Sequence, residues 1–413
     1  MSSEWVEKRL DEVSKIVNGG TPKTKVDENW GGPHRWITPA EMGKRSTPLV
    51  SKTARTLSDA GLQGSSANLI PPSSIILSTR APIGHLVINT EAMAFNQGCR
   101  GLVPYDGLDY RYLYYFLLGS VGLMNDLGTG ATFKELSASK LKGVQIPFPP
   151  LPEQKQIVAI LDKAFTAIDQ AVANAERNLN NARELFESYL NKVFTERGEG
   201  WGEKRLGDVM AITHGYAFKG KDFIVSSDKA MPIVLTPGNY TEEAALNFTG
   251  KNTKRLIGEL PDGYKFDDGD LTIVMTDLSS KMKILGKPAF VEQPNVLHNQ
   301  RIGRVVMKEE LIDEHFIYYF LQTKKYIDNI KLTATGTMVK HTAPKRILSN
   351  VISYPLSREQ QESISHLLDI LIGQRMCLET IYQQKLTALT ELKQSILQKA
   401  FRGELTTTGE SYV

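Results

Sequence analysis

The seven histidines, at positions 34, 85, 214, 298, 315, 341 and 366, are the side chains most suited to metal ligation or proton transfer. They lie scattered, without the short spacings that bring ligands together on one turn or helix face. The two cysteines, Cys99 and Cys377, are too few for a disulfide framework or a cysteine zinc cluster. They read as reduced, partly buried thiols. No Gly-x-x-x-x-Gly-Lys-Ser/Thr loop is present to cradle phosphates, and no Gly-x-Gly-x-x-Gly loop to hold a dinucleotide. The glycine-rich GTGAT at Gly128 follows a helical pattern rather than a strand and reads as a turn. A Gly-x-Ser-x-Gly nucleophile elbow is also missing. The acidic stretch LPDGYKFDDGD (Leu260–Asp270) lacks the Glu/Asp-x-Lys that a nuclease site needs after it. No catalytic residue and no metal ligand is assigned, and the chain reads as a binding scaffold.

The bulk composition fits such a scaffold. The chain has 413 residues, 41% hydrophobic and 23% charged, enough for two or more domains with cores of their own. A formal net charge of +3 permits nucleic-acid binding without demanding it. The charged start, MSSEWVEKRLDEV, is not expected to act as a signal peptide, and no apolar run reaches membrane-spanning length. A cytoplasmic protein is the expectation.

The elements are written twice. Trp5, Lys8, Arg9, Leu10, Val13, Ile16, Gly19 and Lys23 meet Trp201, Lys204, Arg205, Leu206, Val209, Ile212, Gly215 and Lys219. The echo continues in order. IILSTR at Ile75 resembles TIVMTD at Thr272, and FNQGCRGLV at Phe95 resembles HNQRIGRVV at His298. YLYYFLL at Tyr112 resembles FIYYFLQ at Phe316, and GATFK at Gly130 resembles GTMVK at Gly336. Pro149-x-x-x-Glu153-Gln154 then aligns with Pro355-x-x-x-Glu359-Gln360, and LNKVF at Leu190 with LQKAF at Leu397. The centres of the halves are less alike than their edges, which suggests one kind of job on two targets. Each half opens with a mixed α/β region, including a predicted hairpin over Ser73–Ile88 and a counterpart strand over Gly269–Asp277. The aromatic stretches at Asp109 and Asp313 predict helices whose rings face a core.

After the prolines the period changes to a long helix. Leu161, Ile168, Ala175, Ala182 and Tyr189 form one row, and Phe165, Val172, Leu179, Phe186 and Val193 a second beside it. From Glu153 to Phe194 such a helix spans ~60 Å. The second helix carries Leu368, Leu371, Leu378, Tyr382, Leu389, Leu392 and Ile396, with Arg375 and Lys385 interrupting the seam. Each stripe needs a cover, and the simplest cover is the other helix, antiparallel.

The segment GTGATFKELSASKLKGVQIPFPPLPEQKQIVAILD closely resembles the end of a target-recognition domain and the following spacer helix of type I restriction-modification specificity subunits. LSTRAPIG, HGYAFKGKDF, HNQRIG and LKQSILQKAFRGEL are similar to the same family, in its domain order. The second junction, SYPLSREQ, has one proline where the first has three, which implies a looser joint. The resemblance implies an α+β fold. Two tandem, similar α/β target-recognition domains would be separated by two long helices packed as an antiparallel, pseudo-two-fold symmetric coiled coil. The expected boundaries are 1–150 and 199–355 for the domains, 151–198 and 356–405 for the helices, and 406–413 for a tail.

The resemblance also implies a non-catalytic role. Each domain would read one half of a bipartite site in double-stranded DNA. The helices would set the spacing and dock two modification (adenine-N6 methyltransferase) subunits, with restriction (translocase/nuclease) subunits added. Residues expected on the spacer and partner-facing helices are Leu161, Ile168, Val172, Leu179, Phe186, Leu371, Leu378, Leu389, Leu392 and Ile396. No cofactor is expected on this chain; S-adenosylmethionine, ATP and Mg belong on the partners. Half-sites on one face of B-DNA lie ~34 Å apart. Arg or Lys reads guanine and Asn or Gln reads adenine. The DNA-binding candidates are Lys23, Arg80, Asn96, Gln97, Arg100 and Lys134 in the first domain. In the second they are Lys219, Lys221, Lys281, Lys283, Asn299, Gln300, Arg301, Lys340 and His341. Recurrence of Asn-Gln in both halves argues for a structural role, so Arg100, Lys281 and Lys283 are favoured for specificity. Two alternatives remain open: a repeated adaptor that binds no DNA, and a nuclease with an unrecognised site.

Overall fold

The structure, a computed structural model, describes all residues except 1–4, 81, 131–133, 197, 309–310 and 407–413. The expected tail beyond Thr406, and the centre of the GATFK echo, therefore lie outside the described residues. The chain forms two compact units, one of residues 1–176 with 383–413 and one of residues 177–382. Four helices organise them: α1 (Tyr110–Gly119) and the long α2 (Leu151–Thr195), then α3 (Glu314–Phe320) and the long α4 (Arg358–Phe401).

In the first unit the expected hairpin forms. Ser74–Thr79 pairs antiparallel with Ile83–Asn89, and Cys99–Pro104 adds on the other side. Ser14–Asn18 completes that edge, and Leu49–Val50 joins the far edge in parallel. A smaller sheet of Trp30–Ile37, Arg55–Leu57 and Met93–Phe95 packs beside it. In the second unit Leu271–Val274 takes the central place, between Ile302–Met307 and Pro288–Phe290. The aromatic helices bury their rings as expected: Tyr112 and Phe316 are fully enclosed. Both aromatic stretches break after the first helix, each continuing in a second short one, Val121–Leu127 and Lys324–Thr333.

Entry and exit of each domain are zipped together. Val6–Arg9 pairs antiparallel with Gln145–Phe148, and Trp201–Arg205 with Val351–Pro355. The long helices start immediately after. Proline is tolerated in a first turn, where amides lack intrahelical partners, and Pro152 sits there in α2.

A glutamine fixes each start. Gln154 is fully buried; its Oε1 accepts the Asp109 amide at 2.9 Å, and its Nε2 donates to Gly107 O at 3.0 Å and Pro149 O at 2.8 Å. The same three bonds recur at Gln361, to the Asp313 amide at 2.7 Å, Leu311 O at 3.2 Å and Pro355 O at 2.8 Å. The structural partner of Gln154 is thus Gln361 and not Gln360, which is exposed. The second junction carries one residue more, taken up in the bend at Leu356 and Ser357. The looser joint expected from its missing prolines is closed by the same amide. Asp109 and Asp313 cap α1 and α3 at those points. Two turns along each long helix, Asp162 accepts from Tyr115 at 2.7 Å and Asp369 accepts from Tyr319.

Within each unit the two long helices run antiparallel. In the first, Leu161, Leu397 and Ala400 share the core, Lys393 pairs with Asp169, and its ammonium lies 5.1 Å from the Phe165 ring centre. In the second, Phe186, Leu190 and Leu368 are buried together, and Arg183 pairs with Glu379 at 2.9 Å. Both predicted rows of α2 are buried or half-buried along their length. On α4 the seam differs from expectation. Arg375 fills it rather than interrupting it: its side chain is only 13% exposed and stacks 4.9 Å above Phe186. A long aliphatic stem can cover apolar surface while its charged head finds an acid, here Glu379. Leu371, Leu389 and Ile396 are half-buried, whereas Leu378 and Leu392 face outward.

Truncating either buried glutamine strands an amide and two carbonyls. Gln154→Ala and Gln361→Ala should each destabilise their own unit by about 3 kcal/mol in urea unfolding. Gln360→Ala should stay within ~0.5 kcal/mol of the wild type. Equal effects of the three substitutions would contradict the assignment.

Candidate DNA-reading corners

The same backbone corner is built in both units. After its first sheet strand the chain makes a close crossing that only glycine permits. A Cβ on Gly19 would stand 2.1 Å from Asn96 O, and one on Gly215 would stand 2.4 Å from His298 O. The next amides, of Gly20 and Tyr216, then donate to Phe95 O and His298 O. Asn96 and Asn299 turn the following loop: their Oδ1 atoms accept from the Gly98 and Arg301 amides at 2.8 and 3.2 Å. Each such pair also shares an amide-to-carbonyl bond, Cys99 to Asn96 and Ile302 to Asn299.

A third segment closes the corner. The Thr79 amide donates to Gly98 O, and the Leu136 amide to Thr79 O; Met275, Arg301 and Thr342 repeat this pattern. Thr129 and Glu135 exchange two backbone bonds, as do Thr335 and His341. Glu135 lies opposite Arg80, and His341 opposite Thr276. The frame thus equates Arg80 with Thr276, Gly98 with Arg301, Glu135 with His341, and Lys134 with Lys340.

Most of the sequence candidates gather here. In the first unit Gln97 is exposed and accepts from the Thr21 hydroxyl, and Lys23 is exposed two residues further along that loop. Lys134 is exposed beside Glu135, with Nζ 3.4 Å from Asn125 O. Arg100 is committed to the frame, donating to Gln97 O and Cys99 O at 3.1 and 2.9 Å. In the second unit Gln300 and Arg301 are exposed, Asn299 is buried, and Lys340 donates to Gly336 O at 2.8 Å. His341 Nδ1 is 3.1 Å from the Thr276 hydroxyl. Lys281 is exposed on a loop held by Asp277, whose carboxylate accepts from the Ser279 and Ile284 amides. Lys219 and Lys221 are exposed on the short turn at Gly220–Asp222 that follows Phe218. Lys283 points elsewhere: it pairs with Glu242 at the wall of a cleft of about 580 Å³ shared with Arg183, Phe186 and Lys287. Thr21, Glu135 and Thr276 were missed. Glu135 and Thr276 could have been found by extending the repeat from GATFK and TIVMTD, whereas Thr21 carries no sequence signal.

Burial sets the protonation of the neighbours. It pushes the Cys99 thiol up to about 12, against the lowering effect of Arg100 and Arg80, so this cysteine is an inert core group. His298, the counterpart of Phe95, is 4% exposed and packs 4.7 Å from Phe266. Desolvation lowers its pKa below 6.5, outweighing the raising effect of its bond to Ile302 O. Among the described residues no group of three or more His, Cys, Asp or Glu is placed to hold a metal ion.

A repeated frame with cationic and amide side chains at its rim is suited to contacting a long polyanion that offers hydrogen-bonding edges. Comparison with known proteins agrees with that class. The chain matches the family described as type I restriction modification DNA specificity domain twice, over residues 2–176 and 198–388, and it belongs to that family. It is 24% identical to the type I restriction enzyme MjaIX specificity subunit of Methanocaldococcus jannaschii, over 97% of this chain and 94% of that one. It is 30% identical to the EcoR124I/EcoR124II specificity subunit of Escherichia coli, over 46% of this chain and 48% of that one. Its fold is similar to a chain from a structural study of the assembly and conformational transition of the type I restriction-modification system, with a TM-score of 0.77 at 17% identity over 97% and 98% of the chains. The HsdS subunit from Thermoanaerobacter tengcongensis gives a TM-score of 0.57 at 16% identity, over 97% of each.

The depressed pKa of His298 has a fixed sign. The unfolded chain binds this proton more readily, so the stability is fully present above about pH 6.5 and is lost as pH falls towards the folded pKa. His298→Phe, which installs the residue of the other unit, should shrink the drop in melting temperature between about pH 7.5 and about pH 5.5. An unchanged drop would show that His298 is not the titrating group.

Proposed function

We propose that this chain is the DNA-binding specificity subunit of a type I restriction-modification complex. Its two target-recognition domains, residues 1–150 and 199–355, each read one half of a bipartite site. The long helices at 151–198 and 356–405 fix the spacing and dock two modification subunits, adenine-N6 methyltransferases. Restriction subunits add translocation and cleavage. S-adenosylmethionine, ATP and Mg act on those partners, and this chain supplies recognition without catalysis. Such a complex works in the prokaryotic cytoplasm, and among the described residues no helix is long and apolar enough to cross a membrane.

The observation that carries this reading is the duplicated corner, each copy joined through a buried glutamine to a long helix. One recognition device built twice on rigid arms suits a site split in two. Docking is supported by an outward apolar stripe on α4: Leu367, Ile370, Leu378 and Ile381 are all exposed and follow helical spacing. Neighbouring exposed apolar groups on one helix face mark an interaction surface more than scattered ones do.

Gel-shift titration of the chain with its methyltransferase subunits should reveal preference for one bipartite sequence. Raising salt from about 50 to about 200 mM should weaken that binding on the order of 1,000-fold. Binding without sequence preference at any salt would favour an adaptor, and metal-dependent cleavage by the isolated chain would favour a nuclease. Ile370→Lys with Ile381→Lys should abolish co-purification of the methyltransferase subunits while leaving the melting temperature of the chain unchanged. Retained co-purification would place docking elsewhere.

A further inference from the structure

The two corners share a backbone and differ in which segment brings the guanidinium. In the first unit Arg80 directly follows the hairpin strand and lies across Gly98: a Cβ there would stand 3.1 Å from both its Cγ and its Nε. In the second unit the position of Gly98 is occupied by Arg301, while the position of Arg80 is the small, buried Thr276. An arginine therefore rises from each corner, rooted on opposite sides of it. Neither side chain is hydrogen-bonded or ion-paired within the described residues. Arg80 is half-buried and Arg301 exposed. Lys23, Lys219, Lys221 and Lys281 are exposed too, but carry a single ammonium rather than a planar fork; the remaining candidate cations are engaged. Arg100 is spent on backbone carbonyls, Lys134 and Lys340 each have a carbonyl within reach, and Lys283 pairs with an acid.

We infer that Arg80 and Arg301 are the specificity-determining residues of the two half-sites, each reading a guanine through its O6 and N7 edge. The inference rests on the reading of each unit as a DNA-recognition domain. The guanidinium fork matches that edge bidentately, which an ammonium cannot do. The repeated frame supplies the shared part of the job, holding each domain in register. The arginine supplies the part that must differ. Rooted after the hairpin strand in one unit and in the turn before Ile302–Met307 in the other, it approaches the groove from a different side and selects a different position. Glu135 beside Arg80, and His341 in the matching place, give the two corners different second hydrogen-bonding groups.

The test uses the full chain with its methyltransferase subunits, produced in a bacterial host without adenine methylation, and sequencing that maps methylated adenines. The wild type should yield one two-part motif. Arg80→Ala and Arg80→Lys should admit other bases at a single G·C position of one half, with discrimination there falling on the order of 10-fold or more. Arg301→Ala and Arg301→Lys should do the same in the other half only. A motif identical to the wild type overturns the assignment, as does loosening of both halves by one substitution. Wild-type discrimination by the lysine variants also overturns it, because a phosphate contact needs only charge. So does loss of all methylation, or a lowered melting temperature, in a lysine variant, which would make the arginine a structural residue. If the wild type yields no two-part motif, the DNA-specificity reading itself falls, and the assignment with it.

Discussion

A fully buried primary amide must be satisfied on both its oxygen and its nitrogen, and this requirement fixes where each domain meets its helix. Gln154 and Gln361 each gather three backbone groups from two places: the cap of an aromatic helix, and the proline that ends the preceding strand. Only a side chain with one acceptor and two donors, standing on the first turns of the long helix, reaches all of them. The cost of leaving any one unmet exceeds the gain from making it, so the geometry is held tightly.

Everything downstream inherits that position. The aspartate caps start α1 and α3 against the long helices, and two turns along those helices the Tyr115–Asp162 and Tyr319–Asp369 pairs set the rotation of helix against helix. The aromatic helices underlie the sheets, and the sheet ends carry the corners. Within each unit the seam between the long helices is closed partly by cations over rings, Lys393 over Phe165 and Arg375 over Phe186, each with an acid at hand. Such a contact joins an apolar stem to a charged head, so the seam stays covered where the heptad pattern breaks.

The repeat, the strand-to-helix junctions and both rows of α2 were legible because periodicity and proline placement act locally. The register of the second junction was not. Glu359-Gln360 looks like Glu153-Gln154, but burial rather than the dipeptide decides which glutamine is used, and Gln361 sits next door. Arg375 misled for a similar reason: its type says surface, while its long stem packs in the seam. Asn96 and Asn299 cap the same turn in the two units. Arg100 and Lys283 were favoured for being unshared, yet both prove to be engaged, one by carbonyls and one by Glu242.

A residue can differ between repeats because it reads something different, or because its neighbourhood differs. Position alone in an alignment cannot separate these cases; the partners of the side chain can. Arg100 faces Gly303 in the aligned repeats, and its charge is answered at once by Cys99 O. Arg80 and Arg301 face Thr276 and Gly98, and among the described residues neither side chain has a hydrogen-bond or ion-pair partner. An arginine that pairs with no described residue of a repeated frame is free to meet an external group. Its place on opposite sides of the two corners fits a surface shaped for an external polyanion, with the frame common to both copies and the guanidinium placed differently in each.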